Sequence, residues 1–202
     1  MSVPAAVGAH SARIGPNAII QTLAALRERV GVAVTEDLLR AAGLSRYDAE
    51  APSAMVPEDD VSELFHALRC RLDESEAAAC ARLAGYKTAE YVLAHRIPRP
   101  AQFVLRLLPP RLAAPVLLAS ISKHTWTFAG SGSVSIPRGA PVRIAIAGCP
   151  VCRGTQAAAP TCGYYASSFE GLFRALVTSR ARVAEIACQA TGAQSCVFEV
   201  RW

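Results

Sequence analysis

Arg182-Val-Ala-Glu-Ile-Ala-Cys188 and Cys196-Val-Phe-Glu-Val-Arg-Trp202 close the chain, and in both segments apolar and polar side chains alternate. A period of two is typical of strands that bury one face, and a turn at Thr191-Gly192 lies between the segments. The C-terminus is therefore predicted to be an antiparallel strand pair.

A second pair of β-type segments lies upstream of this one. Residues 125–136 and Val142-Arg-Ile-Ala-Ile-Ala147 are rich in β-branched side chains and flank a turn at Pro137 and Gly139. This pattern predicts a hairpin that enlarges the sheet. Residues 169–177, between the two pairs, have the apolar spacing of a helix.

The N-terminal half has helical periodicity instead. Helices are predicted over residues 19–30, from Pro57 onward, over residues 74–95 as one or two helices broken near Gly85, and from about Leu112 to His124. The predicted fold class is α+β, with a helical N-terminal half packed on a small antiparallel sheet. The predicted organisation is a flexible tail at 1–15, a helical part at 16–124 and an α+β domain at 125–202 that forms one compact unit with it.

Composition and charge narrow the classes of function. No apolar stretch approaches the roughly 20 residues of a membrane span, and residues 1–10 lack the pattern of a secretory signal, so a cytoplasmic location is expected. Residues 1–90 carry 9 basic and 13 acidic side chains, whereas residues 91–202 carry 12 basic and 3 acidic ones. A basic half can attract an anionic ligand or an anionic membrane surface, but the arginines form no run typical of nucleic-acid binding.

Three cysteines and a glutamate near the C-terminus have the composition of a metal site. Cys162, Glu185, Cys188 and Cys196 are separated by 23, 3 and 8 residues and can supply four anionic ligands. A closed tetrahedral set of this kind predicts a structural Zn²⁺, which stabilises the fold and leaves no coordination position for a substrate. The alternative is three buried thiols with Glu185 on a solvent-exposed face.

Cys149-Pro-Val-Cys152 is a Cys-x-x-Cys motif, which suggests a redox pair or a second metal site. No helical pattern follows it, and Cys70 and Cys80 lie in the helical half, where they cannot complete a four-thiol set. The favoured interpretation is a stabilising turn with two adjacent thiols.

Several of these motifs together resemble a known family. Cys162-Gly-Tyr-Tyr, Phe169-Glu-Gly-Leu-Phe and Glu185-x-x-Cys188-x-x-x-Gly192-x-x-x-Cys196-x-Phe198 resemble the 4-vinyl reductase domain. The resemblance implies a ligand-binding fold similar to that of a TRAPP vesicle-tethering subunit. In the aromatic-sensing members of that family, three cysteines and a glutamate with this spacing bind zinc. Arg13-Ile-Gly-Pro, Ala94-His-Arg-Ile-Pro98 and Lys123-His-Thr-Trp resemble its bacteriochlorophyll-biosynthesis branch.

The resemblance also implies a ligand and partners. The ligand would be a vinyl-bearing Mg-porphyrin or chlorophyllide, with His124 as axial ligand or edge contact, Trp126 and Phe128 stacking on the macrocycle, and Arg96 among the arginines of the rim. The alternative is a helix-terminal histidine with two core aromatics.

Three functions follow from this resemblance. The chain would hold or deliver the tetrapyrrole to the enzymes of bacteriochlorophyll biosynthesis, or would reduce its vinyl group with an external reductant, since no nucleotide or redox-cofactor motif is visible. An interaction module is the third alternative. A homodimer and peripheral contact with the photosynthetic membrane are compatible with the sequence.

Overall fold

A computed structural model describes residues 12–202, and the helices dominate as far as residue 129. The helices are α1 (Asn17–Val30), α2 (Val32–Ala41), α3 (Arg46–Ala49), α4 (Glu58–Arg71), α5 (Glu74–His95), α6 (Arg99–Leu107), α7 (Pro110–Lys123), α8 (Trp126–Ala129) and α9 (Gly163–Leu176). The strands are β1 (Arg13–Ile14), β2 (Val56–Pro57), β3 (Ser133–Ser135), β4 (Val142–Ala147), β5 (Arg182–Ala187) and β6 (Cys196–Arg201). In this part of the chain no helix is both long and apolar enough to cross a bilayer.

The central helix α5 runs without a break through Gly85. Asp73 caps its N-terminus by accepting a hydrogen bond from the backbone N–H of Glu76 at 2.9 Å. Gly85 lies where α9 packs against α5, and a Cβ there would collide with the carbonyl oxygen of Tyr164. The glycine predicted as a break is therefore the position that allows the two helices to approach closely.

The four C-terminal strands form one antiparallel sheet in the order β3-β4-β6-β5. Ile144 pairs with Phe198 at its centre, and both side chains are fully buried. The predicted α+β class, with helices packed on a small antiparallel sheet, is confirmed. A separate short ribbon, β1 with β2, joins the start of the described chain to the entry of α4.

The segment 125–136 differs from its prediction as a strand. Trp126–Ala129 forms the short helix α8, and only Ser133–Ser135 pairs with β4. The hydroxyl of Tyr165, on α9, donates to the carbonyl oxygen of Phe128 at 2.5 Å, so packing against α9 holds the first part of the segment in a helical turn. Gly130, with φ +58°, then ends that turn.

The ends of the predicted units lie as follows. Residues 1–11 of the predicted tail lie outside the described residues, and Arg13–Ile14 forms β1. The helix predicted over 169–177 begins earlier, at Gly163. Buried side chains from both the helical part and the sheet belong to one hydrophobic cluster, which includes Phe65, Phe173 and Phe198.

Candidate metal centre and apolar groove

Five cysteines meet between the sheet and the N-terminus of α9. Cys149 and Cys152 lie in the turn after β4, and Cys162 immediately precedes α9. Cys188 follows β5, and Cys196 is the first residue of β6. All five are buried, and none forms a disulfide.

The sulfur atoms lie at the separations of ligands around a single metal ion. The Sγ atom of Cys162 lies 3.6 Å from that of Cys196, and each lies 3.9 Å from the Sγ atom of Cys188. Four thiolates at about 2.3 Å from Zn²⁺ would be about 3.8 Å apart at the corners of a tetrahedron. The cluster therefore fits a tetrahedral ion without rearrangement of its backbone.

Glu185 is the fourth predicted ligand, and its carboxylate points into this cluster. Its Oε2 atom accepts a hydrogen bond from the backbone N–H of Cys162 at 2.7 Å, whereas its buried Oε1 atom has no hydrogen-bond partner. A register shift between Glu185 and Ala187 interrupts the pairing of β5 with β6 just before Cys188. The unpartnered oxygen is available to a cation, and the donor set of three sulfurs and one oxygen suits zinc.

Burial and mutual hydrogen bonding perturb the acidities of these groups. Burial, and to a smaller extent the neighbouring Cys188 thiol, raises the pKa of Glu185 to about 8. The contact with Cys152 raises the pKa of Cys188, but hydrogen bonds with Cys162 and Cys196 outweigh it and lower that pKa to about 5. A bound cation would favour the anionic form of every member, because it compensates their mutual repulsion.

Arg69 lies beside the cluster on α4. Its guanidinium donates to the carbonyl oxygen of Val151 at 2.8 Å and to the hydroxyl of Thr155 at 2.9 Å. Burial lowers the pKa of Arg69, while the nearby thiols, led by Cys162, act in the opposite direction. Arg69 thus places a positive charge against the anionic cluster and fixes the turn that carries two of its cysteines.

The prediction that Cys149 and Cys152 lack partners for a four-thiol set is wrong. Cys149, Cys152, Cys162 and Cys196 have sulfur atoms within 4.8 Å of one another, as do the ligand atoms of the predicted set. The partners come from the C-terminal cluster and not from the helical half. The reason is strand register: Ile146 of β4 pairs with Cys196 of β6, so the turn after β4 lies next to the first residue of β6.

A groove of about 640 Å³ lies between α7 and the edge of the sheet. Its walls are mostly apolar, with Ala114, Pro115 and Leu118 on one side and Val142 and Val200 on the other. Arg111, Arg201 and Trp202 complete the lining. Trp202 is half-exposed and stacks on Phe173, with the ring centroids 6.1 Å apart. A smaller groove of about 380 Å³ lies between α5 and α9 and contains Glu90 and Arg174.

Comparison with known proteins places this geometry in a family. The family model of the 4-vinyl reductase domain matches residues 142–202, which include β4, β5, β6 and both sets of metal-ligating residues. The bacteriochlorophyll synthase 23 kDa chain of Cereibacter sphaeroides is 44% identical over 188 residues, covering 93% of this chain and 90% of the relative. The protein of the same name from Rhodobacter capsulatus is 38% identical over 187 residues, covering 92% of this chain and 85% of the relative.

The chain belongs to the family of bacteriochlorophyll synthase 23 kDa chains. The resemblance to the 4-vinyl reductase domain and to the bacteriochlorophyll branch thus leads to this family. The name of these relatives denotes a synthase chain and does not specify a vinyl reductase.

In this 23 kDa-chain fold, the four predicted ligand-binding residues lie outside both grooves. His124 is exposed after α7, where its ring nitrogen Nδ1 contacts the carbonyl oxygen of Ser120 at 2.8 Å. Trp126 is 55% exposed, and Arg96 lies over the ring of Tyr91. Phe128 packs edge-on against Tyr165 and Phe169, as a core aromatic does.

Sequence reasoning missed the groove lined by Arg111, Arg201 and Trp202. The C-terminal Arg201-Trp202 dipeptide is visible in the sequence, but nothing there indicates that α7 lies opposite it. The approach of α7 to the end of β6 is a property of the tertiary structure.

Proposed function

We propose that the chain binds a vinyl-bearing Mg-tetrapyrrole intermediate and holds or delivers it to the enzymes of bacteriochlorophyll biosynthesis. The name of the relatives, bacteriochlorophyll synthase 23 kDa chain, supports a role in that pathway and an association with its enzymes. The observation that carries the proposal is the groove between α7 and the sheet.

The chemistry of the groove matches a flat, apolar ligand that carries carboxylates. The volume of about 640 Å³ lies within the range of small-molecule sites in proteins. Trp202 offers an aromatic face at the rim, and Arg111 and Arg201 offer guanidinium groups to a propionate. Arg201 also contacts Glu199, which Arg143 contacts from the other side at 3.0 Å, so the rim keeps a net positive charge.

We also propose that Cys162, Glu185, Cys188 and Cys196 hold a structural Zn²⁺. The buried, unpartnered Oε1 atom of Glu185 and the sulfur separations near 3.8 Å support this assignment. The ion would supply folding free energy by joining β5, β6 and the start of α9. All four positions of the ion would be filled by the protein, so the tetrapyrrole would bind elsewhere.

The ligand assay compares two matched pairs of variants. Divinyl chlorophyllide is titrated into the full chain, and binding is followed by shifts of its visible bands. We expect Trp202→Ala and Arg111→Ala each to raise Kd about tenfold, which corresponds to about 1.4 kcal/mol. Trp126→Ala and Arg96→Ala should leave Kd unchanged.

The alternative outcomes are distinct. If only the Trp126 and Arg96 variants lose affinity, the ligand binds at the segment that also contains His124 and Phe128, and the groove assignment is wrong. If wild-type protein causes no band shift at micromolar concentration, tetrapyrrole binding itself is refuted.

The second candidate function is reduction of the vinyl group of a divinyl chlorophyllide, with the reductant supplied by another protein. The family resemblance favours it. Adding NADPH to the protein–ligand mixture separates the two functions. Band shifts without divinyl-to-monovinyl conversion support the carrier, whereas turnover by the isolated chain contradicts it.

We further propose peripheral contact with an anionic membrane through the α6–α7 surface. Large apolar side chains are exposed on these two packed helices: Phe103, Val104, Leu107, Leu112 and Val116. Arg99 and Arg111 are exposed at the N-termini of the same helices. Apolar side chains flanked by arginine suit the interface of an anionic bilayer.

A further inference from the structure

Two sets of four ligand atoms occur in the cysteine cluster, and they share Cys162 and Cys196. We propose that Cys149 and Cys152 complete a second metal site, so that the cluster binds two zinc ions bridged by the thiolates of Cys162 and Cys196. This proposal rests on the zinc assignment above and extends it to two cysteines outside the predicted set.

The distances support two tetrahedra that share an edge. The shared edge, between the sulfurs of Cys162 and Cys196, measures 3.6 Å. The Sγ atom of Cys149 lies 3.6 Å from that of Cys162, and the Sγ atom of Cys152 lies 3.4 Å from that of Cys196. Cys149 and Cys152 therefore approach opposite ends of the shared edge, as two terminal ligands of one ion would.

The same distances disfavour the other functions of a Cys-x-x-Cys motif. In a redox pair the two cysteines of the motif face each other, but here each has its shortest sulfur contact with a cysteine of the other set. An iron–sulfur cluster would place its own sulfides between the cysteines and hold them farther apart than the 3.4–3.9 Å observed.

The turn that carries Cys149 and Cys152 is fixed before any ion binds. The backbone N–H of Cys149 donates to the side chain of Gln189 at 2.8 Å, and Ser62 donates to the carbonyl oxygen of Pro150 at 2.8 Å. Arg69 holds the carbonyl oxygen of Val151. These contacts, from the segment after Cys188 and from α4, orient the two thiols as outer contacts orient metal ligands.

Charge compensation also favours two ions. Five thiolates and one carboxylate carry six negative charges, of which two Zn²⁺ ions neutralise four, and the adjacent Arg69 offsets one more. Each thiol releases its proton to the solvent on binding. With a single ion, Cys149 and Cys152 would remain as buried thiols in contact with the ligands.

The test is the metal content of the full chain, purified with reductant and saturated with zinc. Native mass spectrometry and elemental analysis should give two zinc ions per chain in the wild type and one in Cys149→Ser/Cys152→Ser. Cys70→Ser is the matched control because Cys70 is exposed on α4, outside the cluster, and it should retain two. Protein loaded with ¹¹³Cd should show two resonances coupled through the bridging sulfurs.

The results separate the two zinc proposals. One zinc per wild-type chain, retained by Cys149→Ser/Cys152→Ser, would refute the bridged pair and leave the single site of the proposed function intact. Two ions in both wild type and double variant would also contradict the shared-edge site. No bound zinc, or iron with acid-labile sulfide, would overturn both proposals. The wild-type measurements stand even if a variant fails to fold.

Discussion

Glu58→Gln tests the contact that connects the helical part to the cysteine-bearing turn. The Glu58 carboxylate is buried at the start of α4 and accepts hydrogen bonds from the backbone N–H of Ser131 at 2.7 Å and from its hydroxyl at 2.6 Å. It also pairs with Arg153, which follows Cys152, at 2.7 Å. One side chain thus ties α4, the loop before β3 and the turn after β4 together.

The expected loss of stability follows from these contacts. Removing one partner of a buried ion pair costs about 3–5 kcal/mol, and a hydrogen bond to a charged group contributes about 1.5–3 kcal/mol. Glutamine keeps one oxygen that can accept from Ser131 but cannot neutralise Arg153, so we expect a loss of about 3 kcal/mol. With a slope near 2 kcal/mol per molar urea, the unfolding midpoint should fall by about 1.5 M.

The matched control is Asp59→Asn. Asp59 is the next residue and lies 3.4 Å from the same guanidinium, but its side chain is 64% exposed. An exposed pair of this kind contributes about 0–1 kcal/mol, so the control midpoint should barely move. Urea unfolding is followed by circular dichroism. Equal midpoints for the two variants would refute the reasoning that burial makes the Glu58 contact strong.

The same contact has a defined pH dependence. Burial alone would raise the pKa of Glu58, but the hydrogen bonds from Arg153 and Ser131 outweigh it and hold that pKa below its usual value. The stabilisation is therefore complete above the pKa of the unfolded chain, about 4.3, and is lost as pH falls through the lower pKa of the folded state. The stability difference between wild type and Glu58→Gln should shrink below about pH 4.

Two further predictions concern the cluster and the α6–α7 surface. Arg69→Met should weaken zinc affinity about tenfold in competition with a chromogenic chelator, because it removes an outer contact and a nearby positive charge; the exposed neighbour change Arg71→Met should not, and equal affinities would contradict this role. Phe103→Ser/Leu107→Ser should reduce sedimentation with anionic vesicles at least about tenfold, since each side chain buries apolar area at the interface. Val32→Ser/Val34→Ser, exposed on α2, is the control. Unchanged vesicle binding would exclude a membrane, and loss of a dimer instead would assign the surface to a second copy.

Local patterns were sufficient for the fold class and for most helices and strands. Period-two alternation at residues 182–188 and 196–202 corresponds to β5 and β6, and the acidic first turn after Pro57 opens α4. Alternation and capping act over a few residues, so they can be recognised without knowing the rest of the structure. The spacing of Cys162, Glu185, Cys188 and Cys196 likewise indicated a set that the fold brings together.

Contacts between distant segments lay beyond those local patterns. Residues 126–129 have β-type composition, yet packing on α9 makes them helical, and Gly85 is a close-contact site and not a break. The convergence of Cys149 and Cys152 with Cys196 depends on the pairing of β4 with β6, and the groove depends on α7 lying opposite Trp202. A sequence sets how each segment folds along its own axis, but the register and packing that bring segments together are settled by burial of the whole core.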